Sequence, residues 1–198
     1  NNLGINIKAV YPSTTLGPEL NITPIQMAAA YAAFGNNGVF TEGHAITKIV
    51  YRDGVTEKNY APEKKVAMSD YTAYMVTDIL RDTVSNLPGA SANHAIISGV
   101  DIAGKTGTSN YGAEDFKKHN LGNSAVPDSW FVGYTTKYSL GIWTGYPEQS
   151  TAITSRNQKI AQQIFKQVMG TVSKGKKTAN FKMPSTVEKV SIEKGTEL

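Results

Sequence analysis

The sequence predicts a layered α/β domain, an antiparallel sheet flanked by helices, and three observations predict it. Two segments in the first half and one near the end carry apolar residues at helical spacing. Three β-prone segments follow one another in the second half, the last two joined by a connection too short for anything but a hairpin. The chain has 198 residues, 40% of them hydrophobic, which suits one globular unit with a sizeable core.

Thr23-Pro24-Ile25-Gln26-Met27 starts the first helix, with Thr as N-cap and Pro at the first helical position. Its Ala-rich run through Tyr31 stops at Gly35-Asn36-Asn37-Gly38 and predicts close helix packing. His44 to Tyr51 and Val55 to Tyr60 are β-prone around Arg52-Asp53-Gly54, whose Asp-Gly pair is a hairpin signal. Ser69 caps a second helix to about Val84. On it Tyr71, Met75 and Ile79 share one face, with Val76 and Leu80 beside them, and that face is expected to be core.

Leu87-Pro88-Gly89 ends this helix. Ala95-Ile96-Ile97 and Val100 to Ala103 then read as β structure leading into Lys105. Trp130 to Thr135 and Tyr138 to Trp143 are two further strands, joined by Thr136-Lys137. A last helix, Arg156 to about Val172, carries Ile160, Ile164, Phe165, Val168 and Met169 as a stripe that should cover one sheet face. Residues 173–198, rich in Gly, Lys and Pro, read as a linker or tail after a domain over residues 1–172, and Thr186 to Glu193 as a further extended segment. The abrupt start, Asn1-Asn2-Leu3-Gly4-Ile5, reads like an excised segment.

Several functional classes are disfavoured by composition. A net charge of +4 is spread along the chain, with a local excess only at Lys174, Lys176 and Lys177, so the basic stripe with interleaved aromatics that nucleic-acid binding needs is missing. The chain has no cysteine, and His44, His94 and His119 each lack a second ligand at i+3 or i+4, so no metal site and no cofactor is expected. No run of eighteen apolar residues and no signal peptide is visible.

The informative stretch is Gly104-Lys105-Thr106-Gly107-Thr108, followed by Asp128-Ser129-Trp130-Phe131-Val132-Gly133-Tyr134 and Gly141-Ile142-Trp143-Thr144-Gly145-Tyr146. Acyl transfer by a serine develops an oxyanion, and one pre-positioned donor to it is worth about 3 kcal/mol. A backbone N–H on this strand can be such a donor. Gly107 lets a substrate approach the strand edge and add as a further strand. Lys105 offers a point charge, and Thr106 and Thr108 offer hydroxyl donors. Strand alternation sets Lys105 and Gly107 on one face and Thr106 and Thr108 on the other, so the hydroxyls converge only if the strand twists or ends here.

K-T-G is one of three motifs, with S-x-x-K and S-x-N, that build penicillin-binding and β-lactamase active sites. Ser173-Lys174-Gly175-Lys176 and Ser191-Ile192-Glu193-Lys194 spell the first, but both follow K-T-G in a lysine-rich tail and read as chance. Ser91-Ala92-Asn93 and Ser155-Arg156-Asn157 spell S-x-N, one only fourteen residues before Lys105 in a Pro-Gly-Ala-Ser loop and the other after it, and both are set aside. A rival pattern is the phosphate loop G-x-x-x-x-G-K-T over Gly99 to Thr106, implying a nucleotide hydrolase. The helix such a loop must feed is replaced by Gly107-Thr108-Ser109-Asn110-Tyr111-Gly112.

With Leu16-Gly17-Pro18-Glu19, Thr23 to Ala28 and Ala30-Tyr31-Ala32-Ala33-Phe34 added, five linked segments occur in order. The chain resembles the C-terminal part of the transpeptidase domain of a class A penicillin-binding protein, from Leu3 to about Val172. The resemblance implies the β-lactamase/DD-transpeptidase fold with only its C-terminal portion present. It also implies peptidoglycan cross-linking, in which an upstream serine is acylated by the D-Ala-D-Ala end of a stem peptide and an amine of another takes the acyl group. By similarity Lys105 joins the proton network, Thr106 and Thr108 bind the terminal carboxylate, and the Thr108 amide forms half the oxyanion hole. Partners so implied are stem peptides, β-lactams and an upstream segment carrying S-x-x-K and S-x-N. The implied location is the extracytoplasmic face of the bacterial cell membrane, and relatives of full length carry a glycosyltransferase domain and membrane anchor upstream. Since the nucleophile is missing, the chain alone is expected to be inert. A non-catalytic β-lactam-sensing module and a β-lactamase of the same fold are the alternatives.

Overall fold

The computed structural model describes residues 2–191 except 8, 10, 13, 15–20 and 149. The segment Leu16-Gly17-Pro18-Glu19 therefore lies outside the described residues, as does Ile192 onward. Helix α1 (Pro24–Gly35) begins with a full capping box, Thr23 and Gln26 satisfying each other's backbone N–H. Strand β1 (Val39–Thr41) follows, then the hairpin of β2 (Lys48–Val50) and β3 (Glu57–Asn59), then β4 (Lys64–Val66). The hairpin turns at Gly54, φ +70°, while Asp53 accepts from the Val55 and Thr56 amides at 3.0 and 2.8 Å. β4 pairs antiparallel with β1, a second small ribbon at positions that carry no strand signal in the sequence.

Helix α2 (Asp70–Thr83) is capped by Ser69. The chain then reaches β5 (Ala103–Gly107), short α3 (Ala113–Lys118), β6 (Asp128–Tyr134), β7 (Ser139–Gly145) and α4 (Ile160–Ser173). The expected β structure at Ala95-Ile96-Ile97 is absent. Asn93–Ala95 forms a 3-10 turn instead, and the apolar side chains there pack on the core beside Val84 and Ile102. Burial, not strand pairing, accounts for that apolar run.

β5, β6 and β7 form one antiparallel sheet in that order, with Lys105 opposite Val132 and Gly107 opposite Trp130. α1 and α2 pack on one face and α4 on the other. Strand alternation divides β6 accordingly. Tyr134 meets Tyr31 and Phe34 of α1, at ring-centroid distances of 6.2 and 6.4 Å, and Thr77 Oγ1 of α2 at 2.9 Å. Phe131 turns to the opposite face and meets Phe165 of α4 edge-on at 4.7 Å. Gly133 is required by this packing, since a Cβ there would lie 2.8 Å from both Phe131 and Phe165 ring atoms. Burial holds the Tyr134 phenol well above its ordinary pKa, the Thr77 hydrogen bond offsetting only part of that.

Two helix faces depart from expectation. Tyr71, Met75 and Ile79 are not core: they are 47%, 49% and 67% exposed, while Ala73 and Thr77 face inward. Small residues bring α2 close to β5 and Tyr134, and the large apolar stripe is left on the outer side. On α4 the buried positions are Ala161, Gln162, Phe165, Met169 and Ser173, so Phe165 and Met169 are core as expected while Ile160 and Val168 point outward. Gln162 is inward because it works, its amide bonding the His94 N–H and the Ser91 carbonyl at 3.2 and 3.1 Å.

Beyond Ser173 no described residue enters a helix or strand, and the end of the segment Thr186 to Glu193 lies outside the described residues. The tail nevertheless folds back on the sheet, its Phe181 ring 5.6 Å from that of Tyr134.

Candidate functional site

β5 has β6 on one side and, among the described residues, no strand on the other. Its first half is locked and its second half open. Ala103 and Gly104 are buried, and a Cβ on Gly104 would come within 2.6 Å of Phe131 and 2.8 Å of the Val132 carbonyl. Lys105 is exposed, Thr106 and Gly107 half-buried, and Thr108 exposed just past the strand end.

The alternation that would part Lys105 from Thr106 is overcome by the reach of the lysine stem. Lys105 Nζ donates to the Thr106 carbonyl at 3.1 Å and stands 3.5 Å from Thr106 Oγ1. The strand ends at Gly107, so Thr108 is released from strict alternation. Gly107 lies over Trp130, and a Cβ there would stand 3.3 Å from the Trp130 Cβ. Lys105, Thr106, Gly107 and Thr108 thus form one continuous ammonium, hydroxyl and open backbone surface at the free end of an edge strand.

Two residues join this surface that sequence reasoning gave no role. Ser91, in an S-x-N spelling that its place only fourteen residues before Lys105 set aside, puts its hydroxyl 3.5 Å from that of Thr106. Asp128 accepts from the Ser109 amide at 2.8 Å and from the Ser109 hydroxyl at 3.0 Å through each carboxylate oxygen. It fixes the residue directly after Thr108. An Asp opening a strand that lies antiparallel to Lys-Thr-Gly, with a Ser just past that motif, was the available signal. Asp128→Ala should free the Ser109 amide and speed its hydrogen exchange about tenfold, read by exchange mass spectrometry or NMR.

The beginning of β5 is held from α2. Thr83 Oγ1 donates to the Gly104 carbonyl, and Arg81 Nε donates to Asp101 at 2.9 Å. Partial burial works against the Arg81 charge, but Asp101 and then Asp78 more than offset it and hold the guanidinium pKa above its ordinary value. No group of three His, Cys, Asp or Glu among the described residues could hold a metal ion. Nor is any helix there long and apolar enough to cross a membrane.

Gly104-Lys105-Thr106 lies inside a paired strand, and a six-residue helix begins only at Ala113. A phosphate loop needs unpaired amides converging at a helix N-terminus, so the nucleotide-binding reading is overturned.

Comparison with known proteins identifies the family and the fold. Residues 5–170 match the penicillin binding protein transpeptidase domain. The chain is 38% identical over 204 residues to penicillin-binding protein 1A/1B of Bacillus subtilis, covering 99% of this chain and 22% of that protein. It is 33% identical over 192 residues to penicillin-binding protein 1A of Streptococcus pneumoniae, covering 93% of this chain and 26% of that one. The chain therefore spans about a quarter or less of the relatives it matches. The fold resembles penicillin-binding protein PonA1 of Mycobacterium tuberculosis, TM-score 0.68 and 24% identity, over 94% of this chain and 51% of that one. It also resembles penicillin binding protein 3 of that organism, solved in complex with aztreonam, TM-score 0.61 and 25% identity, over 79% and 36%. A mixed helix and antiparallel-sheet architecture, a K-T-G edge strand and a match over most of its length together place this chain in the penicillin-binding protein transpeptidase family.

Proposed function

We propose that this chain is the K-T-G wall of a peptidoglycan DD-transpeptidase of the class A type, residues 1–172 being the C-terminal part of its transpeptidase domain and residues 173–198 a tail. The observation that carries the reading is the open edge of β5, where Lys105 Nζ lies beside the Thr106 hydroxyl and Gly107 leaves the backbone uncovered. A stem peptide ending in D-Ala-D-Ala adds along that edge as a strand. A serine upstream of this chain attacks the penultimate D-Ala carbonyl, the terminal D-Ala leaves with a proton, and an amine of a second stem then displaces the serine oxygen to form the cross-link.

In this scheme Lys105 moves protons at the nucleophile and leaving group, Thr106 and Thr108 hold the terminal carboxylate, and the Thr108 amide is one oxyanion donor. Asp128, by fixing Ser109, keeps that amide in place. β-Lactams acylate the same serine. The partner segment carries S-x-x-K and S-x-N, and the whole protein is anchored with this domain on the extracytoplasmic face of the bacterial membrane, a glycosyltransferase domain preceding it.

The test is intact-protein mass spectrometry after incubation with benzylpenicillin, on this chain alone and on the full-length protein. The expected result is one long-lived adduct on the full-length protein at a serine preceding residue 1, and none on this chain. Rapid hydrolytic release would make the protein a β-lactamase, and an adduct without peptide cross-linking a sensor. An adduct on this chain would overturn the assignment of the nucleophile and direct attention to Ser91, whose hydroxyl already faces Thr106.

A further inference from the structure

The C-terminal tail makes four separate attachments within six residues. After α4 the backbone turns at Gly175, φ +71°, a left-handed conformation that favours glycine. Lys176 Nζ then donates to the Tyr138 hydroxyl at 2.9 Å and lies 5.3 Å from the centre of its ring. Thr136 Oγ1, in the β6–β7 turn, donates to the Ala179 carbonyl at 2.8 Å. The Phe181 ring packs edge-on against buried Tyr134, and the Phe181 N–H donates to Asp101 Oδ2 at 3.1 Å.

The last contact meets a residue that is already engaged. Asp101 Oδ1 accepts from Arg81 Nε at 2.9 Å, and the carboxylate is only 13% exposed. One side chain therefore joins α2, the tail and the segment entering β5. Asp101 lies two positions before the first residue of β5 and four before Lys105. Among the described residues β5 has no strand on its outer side, so its tilt and the position of its open end depend on how its start is held.

We propose that Asp101 is a positioning residue for the Lys105–Thr108 surface, and that the tail, through Phe181, completes its hold on β5. On this view the tail is a strap acting on the catalytic strand from its far end. The proposal rests on the transpeptidase reading for its effect on acylation, but the hold itself is independent of that reading.

Three variants of the full-length protein test it: deletion of residues 174–198, Asp101→Asn, and Phe181→Tyr as a conservative control that keeps the ring and the amide. Two measurements are made on each. Hydrogen exchange reads the β5 amides, with those around Phe165 in α4 as reference, and penicillin acylation is followed for both rate and final stoichiometry. The deletion and Asp101→Asn should each speed β5 exchange about tenfold, leaving α4 unchanged. They should slow acylation roughly tenfold while the stoichiometry stays at one, and Phe181→Tyr should match wild type in both.

A general loss of folding would instead lower the stoichiometry and expose α4 as well, which overturns the proposal. Unchanged β5 exchange after deletion overturns the strap whatever acylation does. Faster exchange with an unchanged acylation rate overturns the positioning role. If the wild-type protein takes up no penicillin, the transpeptidase reading fails, and exchange alone decides whether the tail holds β5.

Discussion

Replacing Lys105 by Ala, or Gly107 by Val, in the full-length protein should lower the penicillin acylation rate by about 100- to 1000-fold, the scale of losing one group aimed at developing charge. The two substitutions reach this by different routes. Lys105→Ala removes the ammonium that lies 3.5 Å from the Thr106 hydroxyl and leaves the strand itself intact, because the side chain is exposed and takes no part in the core. Gly107→Val leaves the charge and adds bulk where a first carbon already meets the Trp130 Cβ at 3.3 Å. The added methyls crowd the edge along which the proposed scheme lays the substrate backbone. Both proteins should keep the wild-type melting temperature within a few degrees. Near-normal acylation by both variants would show that the reacting carbonyl is held elsewhere.

The elements legible in the sequence are those whose signals are local. Thr23 as N-cap with Pro24 at the first helical position announces α1, and the structure completes that cap with the Gln26 side chain. Consecutive β-prone runs with a two-residue connection announce β6 and β7, since no other topology closes so short a link. Failures occur where tertiary partners decide. The β1–β4 ribbon joins two three-residue segments across an intervening hairpin, and each alone is too short to show a period. On α2 the helical period was right and the buried face wrong, because Ala73 and Thr77 permit a closer approach to the sheet than Tyr71 or Met75 could.

At the site the same division holds. Lys105, Thr106, Gly107 and Thr108 stood out as a contiguous motif. Asp128 and Ser91 act on it through contacts nineteen and fifteen residues distant in sequence. Those distances are closed by β pairing and by the turn at Asn93–Ala95, neither of which a linear pattern displays. The tail reads as a linker because Gly, Lys and Pro dominate it, and its contacts to Tyr138, Thr136, Tyr134 and Asp101 are made by single residues that no linear pattern displays.

Phe165→Ala should be the most destabilising core truncation in α4, costing about 3–5 kcal/mol. The ring is fully buried, stacks edge-on with Phe131 at 4.7 Å, and presses on the backbone of Gly133 so closely that no Cβ fits there. Its removal leaves a cavity at the centre of the cluster formed with Val84, Ala95, Ile102 and Met169. The neighbours cannot collapse into it easily, because Phe131 is fixed in the middle strand of the sheet and Ala95 in a turn held by Gln162. For the transpeptidase-domain transition of the full-length protein this corresponds to a fall of roughly 10 °C in Tm. Acylation at low temperature should survive, since Phe165 packs on the face of β6 away from Tyr134, in a cluster that includes neither Lys105 nor Thr108. A fall in the acylation rate per folded molecule would show instead that α4 packing sets the geometry of β5 through Phe131 and Gly104. A double variant, Phe165→Ala with Gly133→Ala, discriminates further. Removing the Phe165 ring relieves one of the two contacts a methyl on residue 133 would make and leaves the other, with Phe131 at 2.8 Å, so Gly133→Ala should cost less in the Phe165→Ala background than the roughly 1–3 kcal/mol of overpacking it costs alone.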